Sequence, residues 1–142
     1  MILIDTNLLL YAKIPEYPQH PAAHEWIEQR LNSPGRVGIP WQVFTAFLRL
    51  TTSSRIYARP FSMRVAWQQV VDWLSHPRVW IPEPTAEHAT ILGKLLTETH
   101  ASGKLVPDAD LAALAIEHGL TLCSADTDFA RFPGLDWLNP LR

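Results

Sequence analysis

The amino-acid sequence predicts an α/β fold with a central, mostly parallel sheet flanked by helices. Short apolar runs typical of buried strands alternate with longer segments whose apolar residues recur at helical spacing. Prolines punctuate the chain throughout, as expected for short elements with firm ends. We expect a single domain over residues 1–142, because this length suits one hydrophobic core and no linker or repeat interrupts the sequence.

The predicted strands are short and nearly all apolar, which suits strands that are covered on both faces. Residues 1–4 form the first strand, which stops at Asp5. The later strands are predicted at residues 37–39, 79–81, 121–124 and 135–138. The first strand therefore delivers an aspartate at its carboxyl end.

Helices are predicted where apolar residues recur three and four positions apart. A short helix follows Asp5 as far as Tyr11, with Thr6 or Asn7 as its N-cap. A second covers residues 20–31, with Pro21 near its start. The remaining helices are predicted at residues 41–51, 63–74, 85–96 with Thr85 as cap, and 108–118.

Composition limits the classes of function. The net charge of −2 and the pI near 6.3 argue against a strongly cationic surface for nucleic acid. Six tryptophans are many for this length and indicate an apolar surface for a partner. The lone Cys123 lies in an apolar run and is interpreted as a buried side chain. With neither a signal peptide nor a long apolar span, we expect a soluble cytoplasmic protein with no membrane role.

Four aspartates follow strands or begin a helix on what the pattern indicates is one side of the sheet. Asp5 follows the first strand, Asp108 begins the last long helix, and Asp126 and Asp128 follow the strand at 121–124. Ligands of open parallel sheets bind beyond the carboxyl ends of the strands. Each aspartate alone has a structural alternative, as a helix cap, a first-turn acid or a polar turn.

Taken together, the four carboxylates predict a divalent metal site. Clustered carboxylates repel one another unless a cation lies among them. Oxygen ligands without a cysteine or histidine cluster favour Mg²⁺ or Mn²⁺ over zinc. Such ions activate water and stabilise the leaving oxygen of a phosphodiester, so the pattern predicts a metal-dependent nuclease.

Other chemistries fit less well. His20 and His24 have zinc-like spacing on a helix, but no third ligand follows, so a solvated helix face is preferred. A phosphotransferase of the haloacid-dehalogenase kind needs a second acid two residues after Asp5, where this chain has Asn7. No glycine-rich phosphate loop is present.

A family resemblance runs nearly end to end. The motifs that carry it are Ile2-Leu3-Ile4-Asp5-Thr6-Asn7, Phe47-Leu48-Arg49, Asp108-x-x-Leu111-Ala112-Ala113, Ser124-x-Asp126-x-Asp128-Phe129, and the closing segment from Phe132 to Leu141. In this order, they resemble PIN-domain nucleases, specifically the VapC-type toxins of bacterial and notably mycobacterial toxin–antitoxin pairs.

The resemblance implies a three-layer PIN-like fold, a Mg²⁺ site and cleavage of RNA. It also implies a VapB-like antitoxin that blocks the site, and a homodimer or a toxin–antitoxin hetero-oligomer. The metal-binding and catalytic positions it matches are Asp5, Asp108, Asp126 and Asp128. Ser124 matches a hydroxyl residue beside the acids, whereas Thr6 and Asn7 supply short polar groups that orient the carboxylate of Asp5 or hold water.

One position departs from the family pattern. A glutamate usually stands three residues before the arginine of the third helix, where this chain has Ala46. Alanine cannot bind a metal, so the remaining acids suffice, water takes that coordination position, or activity is weakened. The alternative function is therefore a catalytically weakened member that acts through antitoxin or RNA binding.

The arginines and one lysine have different predicted roles. Arg49 is assigned a structural role or a role beside the acids, with a substrate-phosphate contact as the alternative. Contacts to the RNA backbone are predicted for Arg55, Arg59, Arg64 and Lys104. Asp110 is expected to be exposed, because it lies off the helix face that carries Asp108, with a role in supporting the metal-binding acids as the alternative.

Overall fold

The structure, a computed structural model, describes residues 1–142 and contains one sheet and six α-helices. The strands are β1 (Ile2–Ile4), β2 (Val37–Gly38), β3 (Val79–Trp80), β4 (Thr121–Cys123) and β5 (Trp137–Leu138). The helices are α1 (Thr6–Lys13), α2 (His20–Leu31), α3 (Trp41–Thr51), α4 (Met63–Ser75), α5 (His88–Thr99) and α6 (Leu105–Glu117). A short 3-10 helix covers Thr127–Arg131.

All five strands are parallel, in the order β3-β2-β1-β4-β5. The first strand of the sequence thus becomes the middle strand of the sheet. Ile4 pairs with Cys123, so the chain leaves β1 and β4 side by side at the same edge. The predicted α/β fold with a parallel sheet flanked by helices is confirmed.

The helices pack in two groups. In the first, α1 packs against α2 and α3, and α3 packs against α4; in the second, α5 packs against α6. A single core joins them to the sheet, and its fully buried side chains include Leu3, Leu9, Phe44, Phe47 and Leu122. Burial of one such leucine or phenylalanine contributes roughly 2 kcal/mol. None of the helices combines the length and the apolar character required to cross a bilayer.

Most predicted helices are found within a residue or two, and three details differ. The N-cap of α1 is Asp5, not Thr6 or Asn7, since its carboxylate accepts the Thr6 N–H at 2.7 Å. Helix α5 begins at His88 instead of Thr85, because the Thr85 hydroxyl accepts the Glu87 N–H in a preceding turn.

Helix α6 begins at Leu105, three residues before the predicted start at Asp108. Pro107 lies in its first turn, where the missing N–H of proline costs no hydrogen bond of the helix. Asp108 therefore remains in the first turn, where the helix dipole favours a negative charge.

Gly38 allows the close approach of β2 to its neighbours. A Cβ at this position would lie 2.8 Å from Cγ of Pro82 and 3.2 Å from the carbonyl oxygen of Ile2. A side chain here would push apart β2, β1 and the segment after β3, so the glycine keeps the sheet closed at its centre.

Candidate metal centre

Asp5 lies where β1 becomes α1, and both of its carboxylate oxygens accept hydrogen bonds. Oδ1 accepts the N–H of Thr6 at 2.7 Å and thereby caps the helix. Oδ2 accepts the hydroxyl of Ser124 at 2.7 Å and the side-chain amide of Asn7 at 3.3 Å. The aspartate therefore has a structural role and a fixed orientation at the same time.

Ser124 and Asn7 join the carboxyl ends of β1 and β4. Asn7 donates its side-chain amide to Oγ of Ser124 at 3.0 Å, and its Oδ1 accepts the N–H of Ala125 at 3.2 Å. The N–H of Asp126 donates to the same Oγ at 3.0 Å. Because Ser124 is fully buried, this network fixes the loop after β4 against the start of α1.

Three further carboxylates meet beyond this edge of the sheet. Asp108 comes from the first turn of α6, Asp126 from the loop after β4, and Asp128 from the 3-10 helix. One oxygen from each lies within 4.8 Å of the others. Oδ1 of Asp126 also accepts the N–H of Asp128 at 2.9 Å, which fixes their relative positions. These three residues are called the acidic cluster below.

The ammonium group of Lys104 lies among these carboxylates. Its Nζ is 2.6 Å from Asp126, 3.5 Å from Asp128 and 3.6 Å from Asp108. The hydrogen bond to Asp126, above all, raises the pKa of Lys104. A single cation can thus contact all three acids at once. The sequence predicted a contact between Lys104 and the RNA backbone, and this contact with the acids was not predicted.

Burial and mutual repulsion act on the acids. Burial raises the pKa of Asp5 to about 6. The hydrogen bonds from Ser124 and Thr6 lower this pKa, whereas the charges of Asp108 and Asp126 raise it further. Burial also raises the pKa of Asp108. At Asp126 burial acts in the same sense, but hydrogen bonds from Lys104 and the Asp128 N–H hold its pKa below the usual value.

The donor atoms of this site fit a hard divalent cation. Oδ2 of Asp108 is buried and accepts no hydrogen bond, and its nearest cation is the ammonium of Lys104 at 3.6 Å, so a metal that replaced this ammonium could bind the oxygen. All the nearby side-chain ligands are carboxylate oxygens, the type preferred by Mg²⁺ and Mn²⁺. The ammonium of Lys104 marks where positive charge is stabilised by the acidic cluster. Asp5 does not belong to that closest group, although its charge interacts with Asp108 and Asp126.

Arg49 and Ala46 do not join the acids by contact. Arg49 is exposed on α3 and makes neither an ion pair nor a side-chain hydrogen bond. Ala46 is half-buried on the same helix. Gln42, one turn earlier on the same face, donates to Oδ2 of Asp110 at 2.8 Å, so this face of α3 is turned towards the start of α6.

A polar network around His88 was not predicted. Its Nε2 lies 2.7 Å from Asp110, and its Nδ1 lies 2.6 Å from Glu117, whose side chain is fully buried. Burial opposes protonation, but hydrogen bonds to both carboxylates raise the pKa of His88. Asp110 is consequently bonded to α3 and α5 and is not the free surface acid that was expected.

His20, His24 and Cys123 form no metal site in the structure. The rings of His20 and His24 are 5.8 Å apart, and Nδ1 of His20 is bonded to the carbonyl of Tyr11, with no acid or cysteine nearby to complete a metal site. Cys123 is buried in β4, as expected for a small apolar side chain.

The fold and site together define an α/β protein with a cation-binding acidic cluster at the carboxyl edge of a parallel sheet. A family model described as PIN domain matches residues 2–135. The chain is 40% identical over 140 residues to ribonuclease VapC37 of Mycobacterium tuberculosis, covering 99% of this chain and 97% of that protein. It is 41% identical over 142 residues to ribonuclease VapC33 of the same organism, covering 100% of this chain and 99% of that protein. The chain therefore belongs to the PIN-domain family.

Solved structures share the fold at lower sequence identity. VapBC2 from Rickettsia felis, bound to a DNA fragment from its promoter, superposes with a TM-score of 0.72 at 21% identity, covering 98% of each chain. VapC20 of M. tuberculosis, described as a toxin that cleaves the sarcin–ricin loop, gives 0.67 at 19% identity, covering 96% of this chain and 99% of that one. PIN-domain nucleases are metal-dependent, and the acidic cluster agrees with this property.

Proposed function

We propose that this chain is a metal-dependent endoribonuclease and the toxin of a type II toxin–antitoxin pair. Residues 1–142 act as one nuclease domain in the cytoplasm. Asp5, Asp108, Asp126 and Asp128 hold the ion, which is Mg²⁺, with Mn²⁺ as a substitute. A VapB-like antitoxin binds the protein and blocks this site. The relatives at 40% identity are named ribonucleases, which supports RNA as the substrate.

The observation that carries this proposal is the approach of three carboxylates to within 4.8 Å around one ammonium group. Three carboxylates at this separation repel one another in a partly buried site, and the single charge of Lys104 offsets only part of that repulsion. A protein gains nothing in stability from such an arrangement, so its use is the binding of a cation.

The side chains divide the work of the reaction. When bound, a divalent ion supplies Lewis acidity to the phosphodiester and activates water for attack at phosphorus. The Thr6 N–H and the Ser124 hydroxyl fix the orientation of the Asp5 carboxylate, which would hold the ion together with the acidic cluster. Lys104, once displaced from the acidic cluster, remains close enough on its flexible stem to contact a substrate phosphate, in agreement with the RNA contact expected from the sequence.

The proposal is tested by incubating the purified chain with a mixed RNA pool and Mg²⁺ or Mn²⁺. We expect endonucleolytic cleavage that EDTA abolishes and that Asp108→Asn lowers by at least about a hundredfold, since one metal ligand is lost. Asp72→Asn, an exposed aspartate of α4, is the matched control and should cleave normally. Equal cleavage by Asp108→Asn and by the unchanged chain would refute the site assignment.

An exposed apolar surface is proposed as the antitoxin contact. Trp41 and Trp67 are 41% and 45% exposed, and Met63 and Val65 add to the same exposed apolar character at the start of α4. The antitoxin should protect these tryptophans from a collisional quencher such as acrylamide. Equal quenching with and without the antitoxin would contradict this contact. A homodimer of this chain is proposed as the unit that the antitoxin binds.

Ala46 supports a second candidate, a weakened nuclease that acts through antitoxin or RNA binding. The face of α3 that carries Ala46 and Gln42 is turned towards α6, so a glutamate at position 46 would extend towards the acidic cluster. Ala46→Glu should strengthen Mg²⁺ binding and increase cleavage, whereas Ala46→Gln, of equal size but neutral, should do neither. No effect of the glutamate would show that position 46 does not face the metal. Antitoxin binding without cleavage at any metal concentration would favour the second candidate.

A further inference from the structure

A cavity lined by none of the acidic-cluster residues lies between the segment after α1 and the loop that joins α3 to α4. Its volume is about 580 Å³, within the range of small-molecule sites. The side chains that matter for its chemistry are Glu16, Tyr17, Ile56, Tyr57, Arg59 and Phe61. The cavity is called the tyrosine cavity below.

Aromatic and aliphatic side chains form the walls of the tyrosine cavity. The rings of Tyr17 and Tyr57 are nearly perpendicular, with centroids 6.2 Å apart, and their hydroxyls are 2.8 Å apart. This hydrogen bond fixes both rings. Ile56 is 49% exposed and Phe61 is half-buried. Rigid rings beside an exposed aliphatic side chain suit a planar, partly apolar ligand such as a nucleobase.

The polar groups of the tyrosine cavity complement the rest of a nucleotide. Arg59 is exposed and forms no ion pair in the structure, so its guanidinium is available for a phosphate. Glu16 is likewise exposed and unpaired, and its carboxylate can accept hydrogen bonds from base N–H groups. The cavity thus offers a phosphate ligand, a stacking surface and an acceptor for a base edge.

Helix α1 connects the tyrosine cavity to the acidic cluster. Asp5 caps the beginning of the helix, and Ile14, which lines the cavity, directly follows its end. The eight residues of α1 span about 12 Å. Tyr11 lies between the two sites: its ring is 4.9 Å from that of Tyr17, and the charge of Asp126 adds to the effect of burial in raising the pKa of Tyr11. A bound strand of a few nucleotides covers this distance.

We propose that the tyrosine cavity binds one nucleobase and its phosphate from the RNA strand that is cut at the acidic cluster. It thereby determines base preference at a position near the scissile bond. This inference rests on the proposed function and identifies where that function gains specificity. A peptide of a partner protein fits less well, because the exposed apolar side chains that suit a protein partner lie on α4 and the cavity has an unpaired arginine.

Nucleotide binding is measured without metal, so that the result does not depend on cleavage. The ¹⁵N-labelled chain in EDTA is titrated with AMP, CMP, GMP and UMP, and with ribose 5-phosphate as the control for phosphate and sugar alone. We expect at least one nucleotide to shift the amide signals of Glu16, Tyr17, Tyr57 and Arg59, whereas ribose 5-phosphate, which offers only the phosphate contact, should shift that of Arg59 alone. Absence of these shifts with all four nucleotides would overturn the proposal. Binding of a peptide in the cavity without nucleotide binding would overturn it as well.

Variants connect binding to specificity. Arg59→Ala should weaken binding of the preferred nucleotide about tenfold, the effect of losing one charged contact, whereas Arg36→Ala, which removes an exposed arginine outside the cavity, should leave it unchanged. Ile56→Trp, which fills the cavity from its exposed rim, should abolish nucleotide binding while the thermal midpoint of the folded chain stays the same. Binding that survives Ile56→Trp would place the nucleotide elsewhere and overturn the proposal.

RNA cleavage then separates the two proposals. With Mg²⁺, Ile56→Trp should raise KM and change the positions of the cuts, with kcat nearly unchanged. Cleavage by the unchanged chain together with no nucleotide binding would refute the cavity proposal alone. Nucleotide binding together with no cleavage under any metal condition would refute the nuclease proposal and leave the cavity as a nucleotide site.

Discussion

Nζ of Lys104 lies 2.6 Å from Oδ2 of Asp126, and the same ammonium group reaches Asp108 and Asp128 within 3.6 Å. The lysine therefore neutralises the acidic cluster from within the chain. Since a divalent ion requires the same carboxylates, lysine and metal compete for them.

Lys104→Met should consequently tighten metal binding. Removal of the ammonium group leaves the acids repelling one another in EDTA, so the melting temperature of the metal-free chain should fall. Mg²⁺ affinity should rise about fivefold, the effect of one exposed ion pair. Thermal melts over a Mg²⁺ series measure both quantities. Lys94→Met removes a lysine from an exposed pair with Glu98 and should change neither, and a weaker Mg²⁺ response of Lys104→Met would contradict the competition.

Asp5→Asn should separate function from stability. The raised pKa of Asp5, about 6, means that the native chain binds this proton more tightly than the unfolded chain does. The stability of the metal-free protein thus falls as the pH rises from about 4 to 6, and the penalty persists at neutral pH.

Asparagine carries no charge and remains a good N-cap. Asp5→Asn in EDTA at pH 7.5 should therefore melt no lower than the unchanged chain, whereas its cleavage of RNA and its stabilisation by Mg²⁺ should be lost. Asp72→Asn should retain both. A marked fall in the melting temperature of Asp5→Asn would indicate that the carboxylate serves the fold more than the site.

His88 should make stability depend on pH. Its hydrogen bonds to Glu117 and Asp110 raise its pKa against the effect of burial. The stabilisation is therefore complete below the ordinary histidine pKa of about 6.5 and is lost as the pH rises through the raised value. His88→Gln should lower the free energy of unfolding by about 1–3 kcal/mol at pH 6 and by less at pH 9.

Urea unfolding at the two pH values measures this difference. His24→Gln, which alters an exposed histidine of α2, provides the control and should show no such dependence. A loss for His88→Gln that is equal at pH 6 and pH 9 would mean that the neutral imidazole already makes the whole contribution.

Gly38→Ala should destabilise the sheet. The added methyl group would meet Pro82 at 2.8 Å and the backbone of Ile2 at 3.2 Å, and neither can move freely. We expect a loss of about 1–3 kcal/mol in the free energy of unfolding. Gly93→Ala, in open space within α5, should instead raise it by up to about 1 kcal/mol, because alanine favours the helix. Equal effects of the two substitutions would contradict the close packing at Gly38.

The order of strands and helices could be predicted from the sequence because each element is marked locally. Apolar runs reveal buried strands, and helical spacing reveals α2, α3 and α4 nearly to the residue. The proximity of the acids could be predicted for a related reason: parallel strands end at one edge, so acids that follow β1 and β4 lie on the same side of the sheet. The sequence did not show that Asp5 stands outside the acidic cluster.

Contacts between distant side chains could not be predicted in this way. Lys104 is four residues from Asp108 but 22 from Asp126, and their meeting depends on the path of the loop after β4. The His88 network joins three helices, and no spacing in the sequence marks it. The starts of α5 and α6 differ from the predicted ones for local reasons that composition does not reveal. Thr85 forms a turn before α5, and Pro107 lies inside the first turn of α6 instead of before it.

The bond between Ser124 and Asp5 joins residues 119 positions apart in the chain. The ribosome therefore synthesises Asp5 long before Ser124, which orients it. Strand β1 cannot pair with β4, its neighbour in the sheet, until β4 has been synthesised. Until the last fifth of the polypeptide has emerged, the growing chain carries its acids on separate, unjoined segments. The hydrogen bond through which Ser124 orients Asp5 therefore forms only after the residues of both β1 and β4 have been synthesised.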